Sequence, residues 1–185
     1  MLKDKKVVLL AFASNDLKRS INRLSNQAKD SNFYNEIKIF NSNDLPSDLA
    51  SKLSYLLSIN KKRGYGYWIW KPFIIREALS QLNQGDILLY IDGRCGLRKN
   101  GKPIKWLDNF IVESKFDIAC WQTLHKEMIW TNGDIISAFD IDLDCELLKT
   151  GQFGATFHAW RNNIRSQKFI NEWLNFLICN LEICR

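Results

Sequence analysis

The sequence predicts an α/β fold: a mostly parallel sheet flanked by helices, in a single domain. Two runs carry the first part of that reading. Lys6–Ala13 (KVVLLAFA) and Ile87–Ile91 (ILLYI) are continuously apolar, as strands covered on both faces are. A short alternating run, Glu36–Phe40 (EIKIF), lies between them with helical patterns on either side. The resulting order, strand, helix, strand, helix, helix, strand, is that of parallel strands joined by crossover helices.

The elements follow in order. After the first strand, Ser14-Asn15-Asp16 supplies cap residues, and Leu17, Ile21, Leu24 and Ala28 recur at helical spacing. Asn41–Asp44 is loop. Pro46 opens a second helix with Leu49, Leu53, Leu56 and Leu57 on one side. Pro72 fits a first helical position, Phe73–Leu82 carries that helix, and Gln84-Gly85-Asp86 ends it. In the second half, Lys102–Phe110 reads as a loop and then a short helix. Phe116–Trp121 reads as a strand, and Thr131–Phe139 as a helix capped by Thr131 with Asp134 three residues on. Gly154–Trp160 reads as a strand. Ser166 caps a last helix that buries Phe169, Ile170, Trp173, Leu174 and Leu177. No internal repeat, linker or low-complexity stretch divides residues 1–185.

Composition excludes several classes. With 46% hydrophobic and 25% charged residues over 185, the chain can bury a core and is not a disordered segment. No window approaches eighteen uninterrupted apolar residues, and the run Val7–Ala13 is short for a signal peptide. Five cysteines, at 95, 120, 145, 179 and 184, form no Cys-x-x-Cys pair, so reduced thiols and a cytoplasmic protein are expected. The net charge of +6 sits in the N-terminal third: residues 1–63 hold twelve Lys/Arg against six Asp/Glu, and the rest is balanced. Such an excess suits phosphates, or a peripheral contact with an anionic inner-membrane face, as well as a plain solvated helix.

Two motifs fail on inspection. Gly96-x-x-x-x-Gly101-Lys102 imitates a phosphate-cradling loop, but Pro103 stands where a magnesium-holding Ser or Thr is needed. Asp140-x-Asp142-x-Asp144 imitates a calcium loop, but Cys145 replaces the turn glycine and Gly151 the bidentate glutamate. No Gly-x-Ser-x-Gly elbow is present, and His158, in an apolar strand, reads first as a structural residue.

The stretch 64–72 (GYGYWIWKP) is the most unusual. Four aromatic rings and two glycines, flanked by Lys61, Lys62, Arg63 and Lys71, precede a helix start, where free N–H groups attract anions. Tyr65, Tyr67, Trp68 and Trp70 can stack on a base or sugar, or pack as a buried hinge. An aromatic-basic segment also suits single-stranded nucleic acid, but no stacking platform on a strand supports this, and no nucleic acid is expected. Ligands in open parallel sheets bind beyond the strands' carboxyl ends. That singles out Ser14 and Asn15 after the first strand and Asp92 after Ile91. Asp92 has the oxygen chemistry to meet a divalent cation, and Arg94 can meet a phosphate.

On Arg63–Pro72 followed by Gly85-Asp86-Ile87-Leu88-Leu89-Tyr90-Ile91-Asp92, the sequence resembles a group of bacterial glycosyltransferases that build lipopolysaccharide and capsule sugars. Glu127-Met128-Ile129-Trp130-Thr131-Asn132-Gly133-Asp134 and Gln152-Phe153-Gly154-Ala155 are similar to two further segments of that group. The resemblance implies a GT-A-like, Rossmann-like fold, with a nucleotide-binding half over about 1–95 and an acceptor-side half over 96–185. It implies a nucleotide-sugar donor near Ser14, Asn15, Arg63, Tyr65, Tyr67, Trp68, Lys71 and Arg94. Asp92 then stands where a DXD-type motif meets a Mn²⁺ or Mg²⁺ ion, with Arg94 in place of that motif's second aspartate, so that a cation such as Arg94 or Lys71 could partly replace the ion. Asp92 and Asp134 are the implied catalytic carboxylates, and Trp130, Gln152 and Ala155 the implied contacts of a glycan or lipid-linked glycan acceptor. Members of the group continue past the last helix into a His-Asp-Gln segment, which residues up to Arg185 do not contain. The alternative is a nucleotide-sugar- or glycan-binding relative of that fold without catalysis.

Overall fold

A computed structural model describes residues 5–59, 64–97 and 116–184. Five strands form one sheet in the order β2-β1-β3-β5-β4. β1 (Val7–Phe12), β2 (Glu36–Phe40) and β3 (Ile87–Ile91) are the three runs expected. β1 pairs in parallel with both neighbours, Val8 lying opposite Glu36 on one side and Leu88 on the other. β4 (Ile118–Lys126) and β5 (Gly151–Arg161) correct the expectation of a mostly parallel sheet. β5 runs antiparallel to β3, with Leu89 opposite Ala159, and β4 antiparallel to β5. Residues 127–150 hold three short helices and fold back on themselves, the Glu127 N–H donating to Thr150 O at 3.0 Å, so the chain re-enters the sheet as β5 beside the end of β4 and runs antiparallel to it.

Four longer helices flank the sheet: α1 (Lys18–Asp30), α2 (Ser47–Ile59), α3 (Trp70–Ser80) and α4 (Ile164–Cys179). Ile21, Leu24 and Ala28 of α1 cover the face formed by Val7, Leu9, Ala11, Ile87, Leu89 and Ile91. Leu49, Leu53 and Leu56 of α2, Ile74 and Ala78 of α3, and Ile170 and Leu174 of α4 cover the opposite face. This two-sided cover explains why β1 and β3 read as continuous apolar runs. Each buried Leu or Ile contributes about 2 kcal/mol, so these two strands anchor the domain. No helix among the described residues is long and apolar enough to cross a membrane.

Local corrections have local causes. α3 starts at Trp70 and Pro72 is its third residue, because residues 65–68 wind the other way; proline is tolerated there since first-turn N–H groups lack helical partners anyway. Two short helices stand here: Glu127–Trp130, which was not expected, and Gly133–Ala138, the expected helix over 131–139 shortened at both ends. The second is capped by Asn132, whose side chain accepts from Asp134 N–H at 2.9 Å, and not by Thr131. Asn163, not Ser166, caps α4, accepting from the N–H groups of Arg165 and Ser166 at 3.0 Å each. In α4, Phe169 is exposed and Trp173 and Leu177 only half-buried. The expected loop and helix at 102–110 lie outside the described residues.

The two ends of the sheet differ. At the amino ends of β1 and β3, side chains tie the chain together. Asp86 accepts from Lys6 N–H and Asn83 N–H at 3.0 Å each, and Asn162 donates to Leu82 O at 2.7 Å. At the carboxyl ends, the path from β1 to β2 runs to one side and β3 sits on the other. Such a reversal of strand order is where open sheets place a ligand crevice, and the carboxyl ends of β1 and β3 stand at that position.

Candidate functional site

Three segments meet at this position. Phe12 ends β1, and Ala13 and Ser14 continue from it. Asp92 follows β3, its N–H donating to Thr156 O at 2.9 Å. Gly93 lies so close to β1 that a Cβ there would stand 2.5 Å from Phe12 O. The third segment is the aromatic turn before α3.

That turn is left-handed over four successive residues, with φ of 48° at Tyr65, 77° at Gly66, 53° at Tyr67 and 60° at Trp68. Each non-glycine residue costs about 1–2 kcal/mol in that region, so packing must hold it. Gly66 lies against Leu53, where a Cβ would stand 2.4 Å from the Leu53 Cδ2. The Trp70 ring stacks on Phe12 with centroids 3.9 Å apart, and Tyr65 lies 5.7 Å from the same ring. The bulky rings thus divide their roles: Trp70 is core, Tyr65 and Tyr67 are half-buried, and Trp68 is exposed.

The turn delivers Lys71 to Asp92. The Lys71 ammonium, with its side chain 4% exposed, donates to Asp92 Oδ1 at 3.1 Å and to Ala155 O at 2.7 Å. Tyr90 lies two residues before Asp92, hence on the same side of the strand. Its hydroxyl donates to the same Oδ1 at 2.5 Å. Its ring faces the ammonium, 4.8 Å from centroid to Nζ. Behind it, His158 stacks on Tyr90 at 4.7 Å, and its Nδ1 accepts from Trp160 Nε1–H at 2.6 Å.

Burial dominates the electrostatics. It lowers the Lys71 pKa, which Asp92 partly restores. It raises the Tyr90 hydroxyl well above its ordinary range, with the Asp92 charge adding to the effect. It pushes His158 down to about 3, helped by the Lys71 charge. His158 is therefore neutral near pH 7. With Nδ1 accepting, its proton is on Nε2, a buried atom without a hydrogen-bond partner among the described residues.

These residues do not fit a divalent cation. Mn²⁺ or Mg²⁺ needs several oxygen ligands. Here one carboxylate already holds an ammonium, and no group of three His, Cys, Asp or Glu side chains stands together among the described residues. Asp92 is only partly exposed, at 28% of its side chain.

The other residues singled out from the sequence fall as follows. Ser14 is buried and its hydroxyl donates to Asp16 at 2.5 Å; Asn15 is exposed. Arg94 is exposed, its carbonyl accepting from Arg23 at 3.0 Å. Arg63 lies outside the described residues. Ala155 contributes its carbonyl to Lys71. Gln152 belongs to a second polar group: its Nε2 donates to Glu127 Oε2 at 3.3 Å, and the Thr131 hydroxyl donates to the same carboxylate. Trp130 is exposed beside His125, with ring centroids 4.8 Å apart. Asp134 is exposed, and no described contact joins its side chain to Lys71 or Asp92.

Sequence reasoning passed over one member of the cluster, Tyr90, whose signal was its spacing of two from Asp92 on one strand. His158 is the buried strand residue expected, but its stacking on Tyr90 comes from the pairing of β3 with β5, which the sequence does not show. An open depression on β4 and β5, lined by Ala119, Cys120, Trp121, Gln122 and Phe157, involves none of the Lys71–Asp92 cluster. Compared with protein-family models and with curated proteins, the chain matches none.

Proposed function

We propose that the crevice binds a nucleotide-sugar donor and that the protein is a glycosyltransferase acting on a glycan or lipid-linked glycan. The observation that carries this reading is the pairing of buried Lys71 with part-exposed Asp92 at the carboxyl ends of β1 and β3, with an aromatic turn beside it. A crevice at a strand-order reversal is where mononucleotides bind in sheets of this class. Exposed Trp68 and half-buried Tyr65 offer ring faces for a base or sugar. Arg94 offers a guanidinium for a phosphate.

Transfer cleaves the bond from the anomeric carbon to the phosphate through an oxocarbenium-like state, as glycoside hydrolysis does. Negative charge grows on the leaving phosphate and must be met by preorganised cations or N–H donors. Arg94 carries an exposed guanidinium of the right chemistry for that task, and Asp92 has a carboxylate to orient sugar hydroxyls. Glu127 and Gln152, three residues along β5 from Ala155, lie about 10 Å further on, a separation that suits an acceptor sugar. The acceptor's proton then goes to a carboxylate or to solvent.

A second reading is binding without transfer. The engagement of Asp92 by Lys71 favours it, because a carboxylate held in an ion pair is a poor proton acceptor. One experiment separates the two. A panel of UDP-, GDP- and dTDP-hexoses is screened by thermal shift, and each binder is then tested for hydrolysis and transfer. A ligand at a hundred times its Kd should raise Tm by about 5–10 °C. Binding with turnover supports the transferase, binding without turnover the second reading, and no shift from any nucleotide sugar contradicts both.

A further inference from the structure

We propose that Lys71 is the fixed cation of this crevice, and that Asp92, held by it, takes vicinal hydroxyls of the ligand directly with no divalent metal between them. The inference rests on the crevice being the donor site, and it departs from the metal-bound diphosphate that a DXD-type aspartate implies.

The geometry supports this in three ways. First, the cation position at Asp92 is filled. The ammonium is anchored at 3.1 Å to Asp92 Oδ1, at 2.7 Å to Ala155 O and against the Tyr90 ring. A metal ion at Oδ1 would have to displace a lysine whose side chain is 4% exposed, together with the Tyr90 hydroxyl. Second, the residue two positions on is Arg94, an exposed cation at the position where a DXD-type motif carries its second carboxylate, so that second metal ligand is missing. Third, Asp92 keeps an oxygen, Oδ2, outside these contacts, on a side chain that is 28% exposed. An ionised carboxylate is an acceptor only, and its natural neutral partners are hydroxyl groups. Adjacent hydroxyls occur on both the ribose and the hexose of a nucleotide sugar.

The test has two arms. In the first, Mn²⁺ alone is titrated into the ¹⁵N-labelled protein. Even relaxation across the chain, without selective broadening of the amides of residues 91–95, is expected. Selective broadening there at substoichiometric metal would overturn the proposal, whatever the enzyme does with sugars. In the second arm, the affinity of the nucleotide hexoses, and of the parent nucleoside diphosphates, is measured in Mn²⁺ and in EDTA. A change of less than about twofold is expected, and a loss of about tenfold or more in EDTA would overturn the proposal. Asp92→Asn should then weaken binding about tenfold or more. If the nucleoside diphosphate loses as much as the nucleotide hexose, Asp92 reads the ribose; if only the hexose form loses, it reads the sugar. An Asp92→Asn variant that is folded and binds both ligands unchanged would refute direct hydroxyl recognition. If no nucleotide sugar binds, the proposed function fails, while the manganese titration still decides whether Lys71 excludes a metal.

Discussion

Lys71 Nζ lies 3.1 Å from Asp92 Oδ1, joining the second residue of α3 to the first residue beyond β3 across twenty-one positions of sequence. The contact is possible because the left-handed turn at 65–68 seats Trp70 on Phe12, which brings the start of α3 over the carboxyl end of the sheet. One partner is buried and the other partly solvated, so the two are not equivalent.

That asymmetry predicts unequal mutations. Asp92→Asn leaves a buried ammonium without its counter-ion and should cost on the order of 2–4 kcal/mol. Lys71→Met leaves a carboxylate that water can reach, and an exposed Ala155 whose carbonyl can hydrate; it should cost about 1 kcal/mol or less. Urea midpoints of the two variants check this, and a Lys71→Met cost equal to that of Asp92→Asn would contradict it. Because Lys71 is buried, Asp92→Asn is expected to lose stability as well as sugar transfer.

His158 should make stability sensitive to acid. In the unfolded chain it takes up a proton near pH 6.5, and in the fold only near pH 3. Between these values the unfolded chain binds more protons, so this contribution is full above 6.5 and is lost as pH falls toward 3. The expected size is roughly 3–5 kcal/mol across the window. His158→Phe should flatten that limb relative to the parent, while costing about 1–2 kcal/mol at pH 7 because Trp160 Nε1–H loses its acceptor. Parallel limbs in the two proteins would contradict the assignment.

Gly66→Ala places a methyl group at φ +77° and 2.4 Å from the Leu53 Cδ2. Backbone strain of about 1 kcal/mol adds to overpacking of about 1–3 kcal/mol. Since the turn positions Lys71, the variant should also weaken nucleotide-sugar binding, by about tenfold. Calorimetry on the folded variant separates the two effects, and unchanged stability would argue against a left-handed turn at this position.

Gly93→Ala tests the closeness of the strand ends. Its Cβ would meet Phe12 O at 2.5 Å, and backbone cannot step aside as a side chain can. A loss of about 2–3 kcal/mol in chemical denaturation is expected, and a neutral substitution would mean that β1 and β3 diverge before residue 93.

Much of the fold was legible because the strands that form its centre are buried on both sides. Val7–Phe12 and Ile87–Ile91 needed no partner to be recognised, and the alternation of Glu36–Phe40 marked a strand beside them. The direction of β5 was not legible: a run of residues such as Gly151–Arg161 reads the same in either direction. Neither was the left-handed turn, since Tyr and Trp are poor residues for positive φ, and the packing beside it, Tyr65 and Trp70 on Phe12 and Gly66 on Leu53, joins parts of the chain far apart in sequence. At the site, Asp92 and Lys71 were each legible from position, at a strand end and a helix start. Their pairing was not, because it depends on how far the turn rotates α3. The sequence offers Lys71 and Arg94 alike as cations for Asp92, and only the structure puts Lys71 on that carboxylate.

The most direct measurement of the central claim is the map of amide shifts produced by a nucleotide hexose in the ¹⁵N-labelled protein. The account predicts that the largest shifts fall on residues 13–15, 65–71 and 92–95, around the carboxyl ends of β1 and β3. Shifts confined to the depression at residues 119–122 and 157, or none with any nucleotide sugar, would contradict it.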